Sequence, residues 1–323
     1  MNRREFICLG GSFGLMAGCR AAAVSVPRHR SDYDGLQIGA ITYSYRSMHG
    51  GALDVLRYAV ESGLGTVELM GADAESYAGI PSARPKSLPE RRELLKKRLA
   101  VPDSKWVELR HRYEDAGVGV RIVKFSSIGS PVVSEEESDY YCRVAHALGA
   151  TAITREIPVG KMQVNPGADA LPDEAEYGPI GRRCAAIAET NGIDIAFHNH
   201  LQINRLTYDS KLLGYSKRLK INFDIGHYVA ANDDDPLDMV RKYHDRMVSI
   251  HVKDRTRTAH GRKNLPFGQG DTPLGGLFAL LKKEKWDIPC DIELEYKIPK
   301  GSNAVKEVGV SNRYCERLSH IGG

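Results

Sequence analysis

Five short runs of this chain place acidic and imidazole groups at alternate positions: AITREIP (152–158), IDIAFHNH (193–200), KINFDI (220–225), MVSIHVKD (247–254) and CDIELEY (290–296). Each mixes them with β-branched and aliphatic residues, as a buried strand does. Residues two apart in a strand share a face. Asp194, Ala196, His198 and His200 therefore oppose Ile195 and Phe197, while Asn222 and Asp224 oppose Phe223 and Ile225. Ser249, His251 and Lys253 oppose Ile250 and Val252, and Asp291, Glu293 and Glu295 oppose Ile292 and Leu294. Thr154 and Glu156 oppose Ile153 and Ile157, with Arg155 interrupting the apolar set. Carboxylates and neutral imidazoles converging from these faces repel, or shift strongly in pKa, without a cation among them. A divalent ion meets that need, and a carboxylate-rich set with imidazole suits manganese, magnesium, cobalt or zinc. Taken singly, His251 reads as a satisfied core histidine and Glu156 as the partner of a nearby basic side chain. Asp224, His251 and a glutamate on three successive strands favour the metal.

Strands able to position these groups recur along the chain. QIGAITYSY (37–45), TVELM (66–70) and VRIVKFSSI (120–128) precede the five runs. Helical patterns lie between: Leu53–Ser62, a long polar stretch Ser87–Ala116, Glu135–Leu148, Asp173–Asn191, a short one near Tyr208–Ser216, Pro236–Asp245, Leu274–Glu284 and Asn303–Leu318. Eight strands alternating with helices predict a single-domain α/β fold, a (β/α)8 TIM barrel over residues 36–323. A doubly wound open sheet is the alternative, but no early GxGxxG turn supports it. In a barrel the polar parity points inward at the strand C-termini, the end where barrel enzymes carry their sites. Asp233-Asp234-Asp235 before Pro236 reads as a solvated loop and helix cap.

The 45 basic and 41 acidic residues form no long run of one sign, so nothing points to nucleic acid or an anionic membrane surface. Residues 1–19, MNRREFICLGGSFGLMAGC, have a basic start, an apolar stretch and small residues up to Cys19. That pattern is too short to span a bilayer and predicts an export signal. Arg3-Arg4-Glu5-Phe6 resembles a twin-arginine signal, and Leu15–Cys19 resembles a lipobox, which implies a lipid anchor at Cys19. The expectation is an exported bacterial protein, periplasmic or anchored as a lipoprotein, with residues 20–35 as a polar tether. Twin-arginine export carries folded proteins, often with a cofactor inserted, which agrees with a metal. Cys142, Cys184, Cys290 and Cys315 are widely spaced without CxxC and read as isolated buried thiols.

The D-x-G-H of Asp224–His227, the H-x-K-D of His251–Asp254, the G-x-G-D of Gly268–Asp271 and the I-E-L-E of Ile292–Glu295 make the resemblance specific. From about Gln37 onward the chain resembles the xylose-isomerase-like barrel superfamily, which includes sugar phosphate isomerases/epimerases, inosose dehydratases and apurinic endonucleases. The resemblance implies one metal held by Glu, Asp, His and Glu. Carried over by motif, these are Asp224, His251 and Glu293, with Glu295 as the alternative on the same face. The first Glu departs from the pattern: many members have E-N-H where this chain has His198-Asn199-His200. Members with H-N-H take that carboxylate from the preceding strand, which nominates Glu156. The departure also removes the usual base of the epimerase branch, leaving His198, His200, His227 and Glu295 as acid–base candidates. Lys253 would pin an oxyanion or a hydroxyl, and Tyr43, Tyr45, Arg46 and Glu68 are candidate substrate contacts.

The implied activity is a divalent-metal-dependent isomerase or epimerase of a small sugar or keto-sugar. It would remove a proton next to a carbonyl through a metal-stabilised enediolate. A lyase or dehydratase acting by β-elimination on keto-sugars or 3-keto-glycosides is the alternative. Export favours unphosphorylated substrates. A phosphodiesterase needs a richer histidine set and a basic face, neither of which is evident. The complete Asp/His/Glu set argues against a sugar-binding barrel without activity.

Overall fold

The alternation in the sequence becomes eight parallel strands: β1 (Leu36–Ile41), β2 (Thr66–Met70), β3 (Gly119–Lys124), β4 (Ala152–Glu156), β5 (Asp194–His198), β6 (Leu219–Asp224), β7 (Met247–Val252) and β8 (Cys290–Ile292). The structure is a computed structural model that describes residues 30–48, 50–82, 85–160 and 170–321. The predicted export signal with Cys19, and residues 20–29 of the tether, lie outside the described residues. Each strand pairs with the next, and β8 returns to β1 through Cys290↔Ile38, Asp291↔Gly39 and Ile292↔Ala40, closing the barrel. One barrel domain accounts for the described chain.

The surrounding helices are α1 (Ala52–Glu61), α2 (Gly71–Tyr77), α3 (Leu88–Leu99), α4 (Asp103–Asp115), α5 (Glu135–Ala147), α6 (Glu174–Asn191), α7 (Ile225–Ala231), α8 (Pro236–Tyr243), α9 (Leu274–Glu284) and α10 (Ala304–Ile321). The polar stretch read as one helix is two, because Pro102 has no N–H to donate and disfavours helix in the residue before it. The short α2 and α7 were not expected. Between β5 and β6 the predicted helix is replaced by 3-10 turns at Thr207–Asp209 and Lys211–Tyr215. Local side-chain bonds compete with helix there: Asn204 Oδ1 accepts the Leu206 N–H, and Ser210 Oγ accepts that of Leu212.

The apolar parity packs outward under the helices: Ile195, Phe197, Phe223, Ile250, Val252 and Ile292 are fully buried. Each such side chain contributes about 1.5–3 kcal/mol. The polar parity fills the interior. Glu68 accepts hydrogen bonds from Thr154 Oγ1 at 2.5 Å and Asn222 Nδ2 at 3.1 Å, linking β2, β4 and β6 across the barrel. Gly39 of β1 fits this interior because a Cβ there would meet the Asp291 carboxylate and come within 2.9 Å of the Thr66 carbonyl oxygen. At the opposite end of β1, Asp32–Tyr33 folds back antiparallel on Leu36–Gln37, and Tyr33 Oη donates to Asn312 at 3.0 Å. Cys142, Cys184, Cys290 and Cys315 are buried thiols outside any disulfide. Among the described residues no helix is long and apolar enough to cross a membrane.

Candidate active site

The D-x-G-H motif folds as a strand that turns at once into a helix. Asp224 ends β6 and caps α7, its Oδ1 accepting the His227 N–H at 2.7 Å. This sharp turn carries His227 back over the barrel mouth. Gly226 lets β7 approach, since a Cβ there would lie 2.9 Å from the Lys253 carbonyl oxygen. Asn199 fixes the same turn by accepting the Asp224 N–H at 2.9 Å and donating to its carbonyl at 3.1 Å. The H-x-K-D and G-x-G-D motifs also meet: Asp254 Oδ2 accepts the N–H groups of Gly268, Gln269 and Gly270 at 2.8, 3.0 and 2.9 Å. Asp254 is thus a loop anchor.

At the centre lies the Lys253 ammonium. Its Nζ is 2.7 Å from Glu295 Oε2, 2.8 Å from Glu293 Oε2, 3.0 Å from Asp224 Oδ2 and 3.0 Å from His227 Nε2. Four acceptors surround three N–H bonds. Asp224 Oδ2 is the one left without a well-directed hydrogen bond, although it is fully buried. Burial opposes the charge on Lys253, but Asp224, Glu293 and Glu295 outweigh it and raise its pKa. Burial pushes Asp224 up, against Lys253, whereas Lys253 and His251 overcome burial to hold Glu293 well below the usual carboxylate range.

Two imidazoles flank this cluster in neutral form. His198 Nδ1 lies 2.6 Å from Asn222 Oδ1, while the Asn222 amide donates to Glu68 and Ser249. That arrangement puts the proton on Nδ1 and the lone pair on Nε2. Burial, followed by Lys124, drives the His198 pKa well down. Burial and then Lys253 do the same for His227, whose Nδ1 also faces Arg255 at 2.5 Å.

His251 is different. Its Nε2 is 2.8 Å from Glu68 Oε2 and its Nδ1 is 3.1 Å from Glu293 Oε2. Burial opposes protonation, yet the two carboxylates prevail and push its pKa up to about 10. At the rim, Glu156 joins Lys124 Nζ at 2.9 Å and His200 Nε2 at 2.9 Å. Burial works against ionising Glu156, but the imidazoles of His198 and His200 and the Lys124 ammonium together outweigh it and hold the carboxyl low.

The donor atoms of His198, Asp224, His227 and Glu293 lie within 4.8 Å of one another, and those of His198, His200 and His227 do the same. A deeper group joins Glu68, His251 and Asp291. Glu156 and Glu295 stand beside these groups, each within hydrogen-bond reach of a cation or imidazole. Lys124 went unread, although the parity of VRIVKF sets it on the inward face with Ile122. Two expected substrate contacts are otherwise placed. Glu68 is fully buried and bonded inside the barrel, because its strand reaches the mouth only at Met70. Tyr45 is buried with its Oη 3.0 Å from Ser62 Oγ, because the chain after β1 coils into a 3-10 turn that rotates it under α1.

A family model described as xylose isomerase-like TIM barrel matches residues 56–314. Comparison with curated proteins returns no match. Among solved structures, the barrel superposes on the probable 3-DHS dehydratase AsbF of Bacillus anthracis with a TM-score of 0.60 and 15% identity, over 86% of this chain and 98% of that one. A structure of L-ribulose 3-epimerase gives a TM-score of 0.61 at 12% identity, covering 89% of this chain and 95% of that one. The 3-keto-D-glucoside 4-epimerase YcjR of E. coli gives 0.59 at 13%, covering 87% and 99%. Identities this low speak for the shared fold.

Proposed function

Because the chain belongs to the xylose isomerase-like TIM barrel family, we propose that it is a divalent-cation-dependent enzyme of the sugar isomerase or epimerase type. It would act on a small sugar or keto-sugar by removing a proton next to a carbonyl, through an enediolate. The observation that supports this reading is the convergence of His198, Asp224, His227 and Glu293 at the barrel mouth. Residues 1–19 support an exported protein acting outside the cytoplasm on unphosphorylated substrates.

The residues present suit a cation. Two buried carboxylates and two imidazoles held in their basic form offer lone pairs, and Asp224 Oδ2 lacks a directed donor. The Lys253 ammonium already shows that this point holds positive charge, and an ion there would displace Nζ from Asp224 and Glu293, 3.0 and 2.8 Å away. His251, which the motif nominates, would enter the set only if its ring left both Glu68 and Glu293. Glu156 would join by releasing Lys124. Bound at this point, a divalent ion would polarise a substrate carbonyl and acidify the neighbouring C–H.

The chain's own groups do the proton chemistry. Glu295, 20% exposed at the rim, is placed to accept a proton, with Lys253 beside it to stabilise developing negative charge on a substrate oxygen. Return of the proton would fall to His200 starting as the imidazolium, with Glu156 Oε2 2.9 Å from its Nε2. The two groups together allow removal of a proton and its return, as an epimerase or isomerase requires.

A second reading is β-elimination. It is favoured by the His200–Glu156 pair, which is about a quarter exposed at the rim and could protonate a departing group. Solvent deuterium exchange into a panel of keto-sugars and 3-keto-glycosides, followed by NMR, separates the readings. Exchange with epimer formation supports the first, exchange with release of an aglycone or water supports the second, and no exchange in any sugar defeats both.

A further inference from the structure

β8 stops pairing with β1 at Ile292, yet the glutamates that face Lys253 come after it. On the β7 side the ladder runs one step further, with Glu293 N donating to the Val252 carbonyl at 3.0 Å. On the other side no strand remains, because β1 ends at Ile41 and the chain coils through Thr42–Tyr45. Ser44 stands where the missing strand would be. Its Oγ donates to the Ile292 carbonyl at 3.1 Å and accepts the Leu294 N–H at 2.9 Å, supplying the one donor and one acceptor of a ladder residue. Arg46 Nη1 then donates to the Leu294 carbonyl at 2.6 Å and to the Tyr43 carbonyl at 3.2 Å, with the guanidinium 4.4 Å over the Tyr43 ring. Leu294 sits between the two glutamates in sequence and is buried.

We propose that Ser44 and Arg46 are positioning residues, which set the carboxylates of Glu293 and Glu295 through the backbone of Leu294. The proposal rests on the reading of the mouth as a cation-dependent centre. A site group displaced by a fraction of an ångström loses much of its effect, so a clamp of three backbone bonds acts on the chemistry without touching substrate.

The test uses the full-length protein and the variants Ser44→Ala, Arg46→Ala and Arg46→Lys, with Arg57→Ala on the exposed face of α1 as control. Co2+ is titrated into metal-free protein and followed by its visible absorption. Amide hydrogen exchange over residues 290–296 is read by mass spectrometry without metal. Arg46→Ala is expected to weaken Co2+ binding about tenfold and to shift the absorption band. Arg46→Lys, which keeps one donor, restores both to near the parent, and Arg57→Ala changes neither. Ser44→Ala speeds exchange at the Leu294 amide by at least about tenfold. If Ser44→Ala does not fold, the Arg46 pair decides alone. A parental Co2+ affinity and spectrum in both alanine variants overturn the proposal, whatever the exchange shows. Should the parent itself take up no Co2+, the proposed function fails. Exchange then judges the clamp, faster exchange supporting it and unchanged exchange ending it.

Discussion

His251 Nε2 lies 2.8 Å from a carboxylate oxygen of Glu68, where both side chains are fully buried in the barrel. With Nδ1 against Glu293, the ring bridges the interior network to the mouth, and only the doubly protonated imidazolium donates both bonds. The histidine therefore behaves in this structure as a buried cation.

A pH dependence follows. The folded pKa of about 10 lies above the ordinary histidine value, so this stabilisation is complete below about pH 6.5 and disappears as pH rises through 10. Thermal melts in EDTA should show the parent losing stability across that window. His251→Gln should start about 3–5 kcal/mol less stable, as expected for breaking a buried pair, and should show a flatter profile. Parallel pH profiles for the two proteins would refute the imidazolium.

Metal affinity should rank the donors. Asp224→Asn and Glu293→Gln should abolish stoichiometric uptake of Mn2+, Co2+ or Zn2+, and His198→Ala and His227→Ala should weaken it by more than about 100-fold. His251→Gln should cost only about 10–100-fold, because the ring orients Glu293. Isothermal titration of purified variants measures this. A loss in His251→Gln as complete as in Asp224→Asn would return His251 to the ligand set that the motif implies.

Lys253→Met removes the ammonium that Asp224, Glu293 and Glu295 share. Without metal the three carboxylates then repel, and the variant should melt below the parent. Added Mn2+ should raise its melting temperature more than it raises the parent's, because no internal cation competes. Equal shifts in differential scanning fluorimetry would contradict the shared position.

Asp291 tests the interior from the other side. Burial, and then Glu68, push its pKa up to about 7. An acid raised above its unfolded value binds its proton earlier in the folded state, so it costs stability above pH 7 and less as pH falls toward 4. Asp291→Asn should therefore stabilise metal-free protein at pH 8.5 and gain little at pH 5, with about 2–4 °C for each kcal/mol relieved. A gain of the same size at both pH values would remove Asp291 as its source.

Strand parity is a local property, and it was legible. A period of two sorts Phe197 from His198 and Phe223 from Asp224 whatever the rest of the chain does, so the eight strands, the inward faces of the last five and the rim of acidic and imidazole groups could be read directly. Helix breaks set by a single residue, such as Pro102, were equally present in the sequence and were passed over. Which imidazole faces which carboxylate was decided elsewhere. Asp224 caps a helix that no periodicity announced, and that turn brings His227 to the centre while Glu68 draws His251 below it. Ser44 completes the edge of β8 from 248 residues away in sequence. Such contacts depend on rotamers and chain turns that only packing fixes, and a pattern read along one strand carries no information about what stands across the barrel.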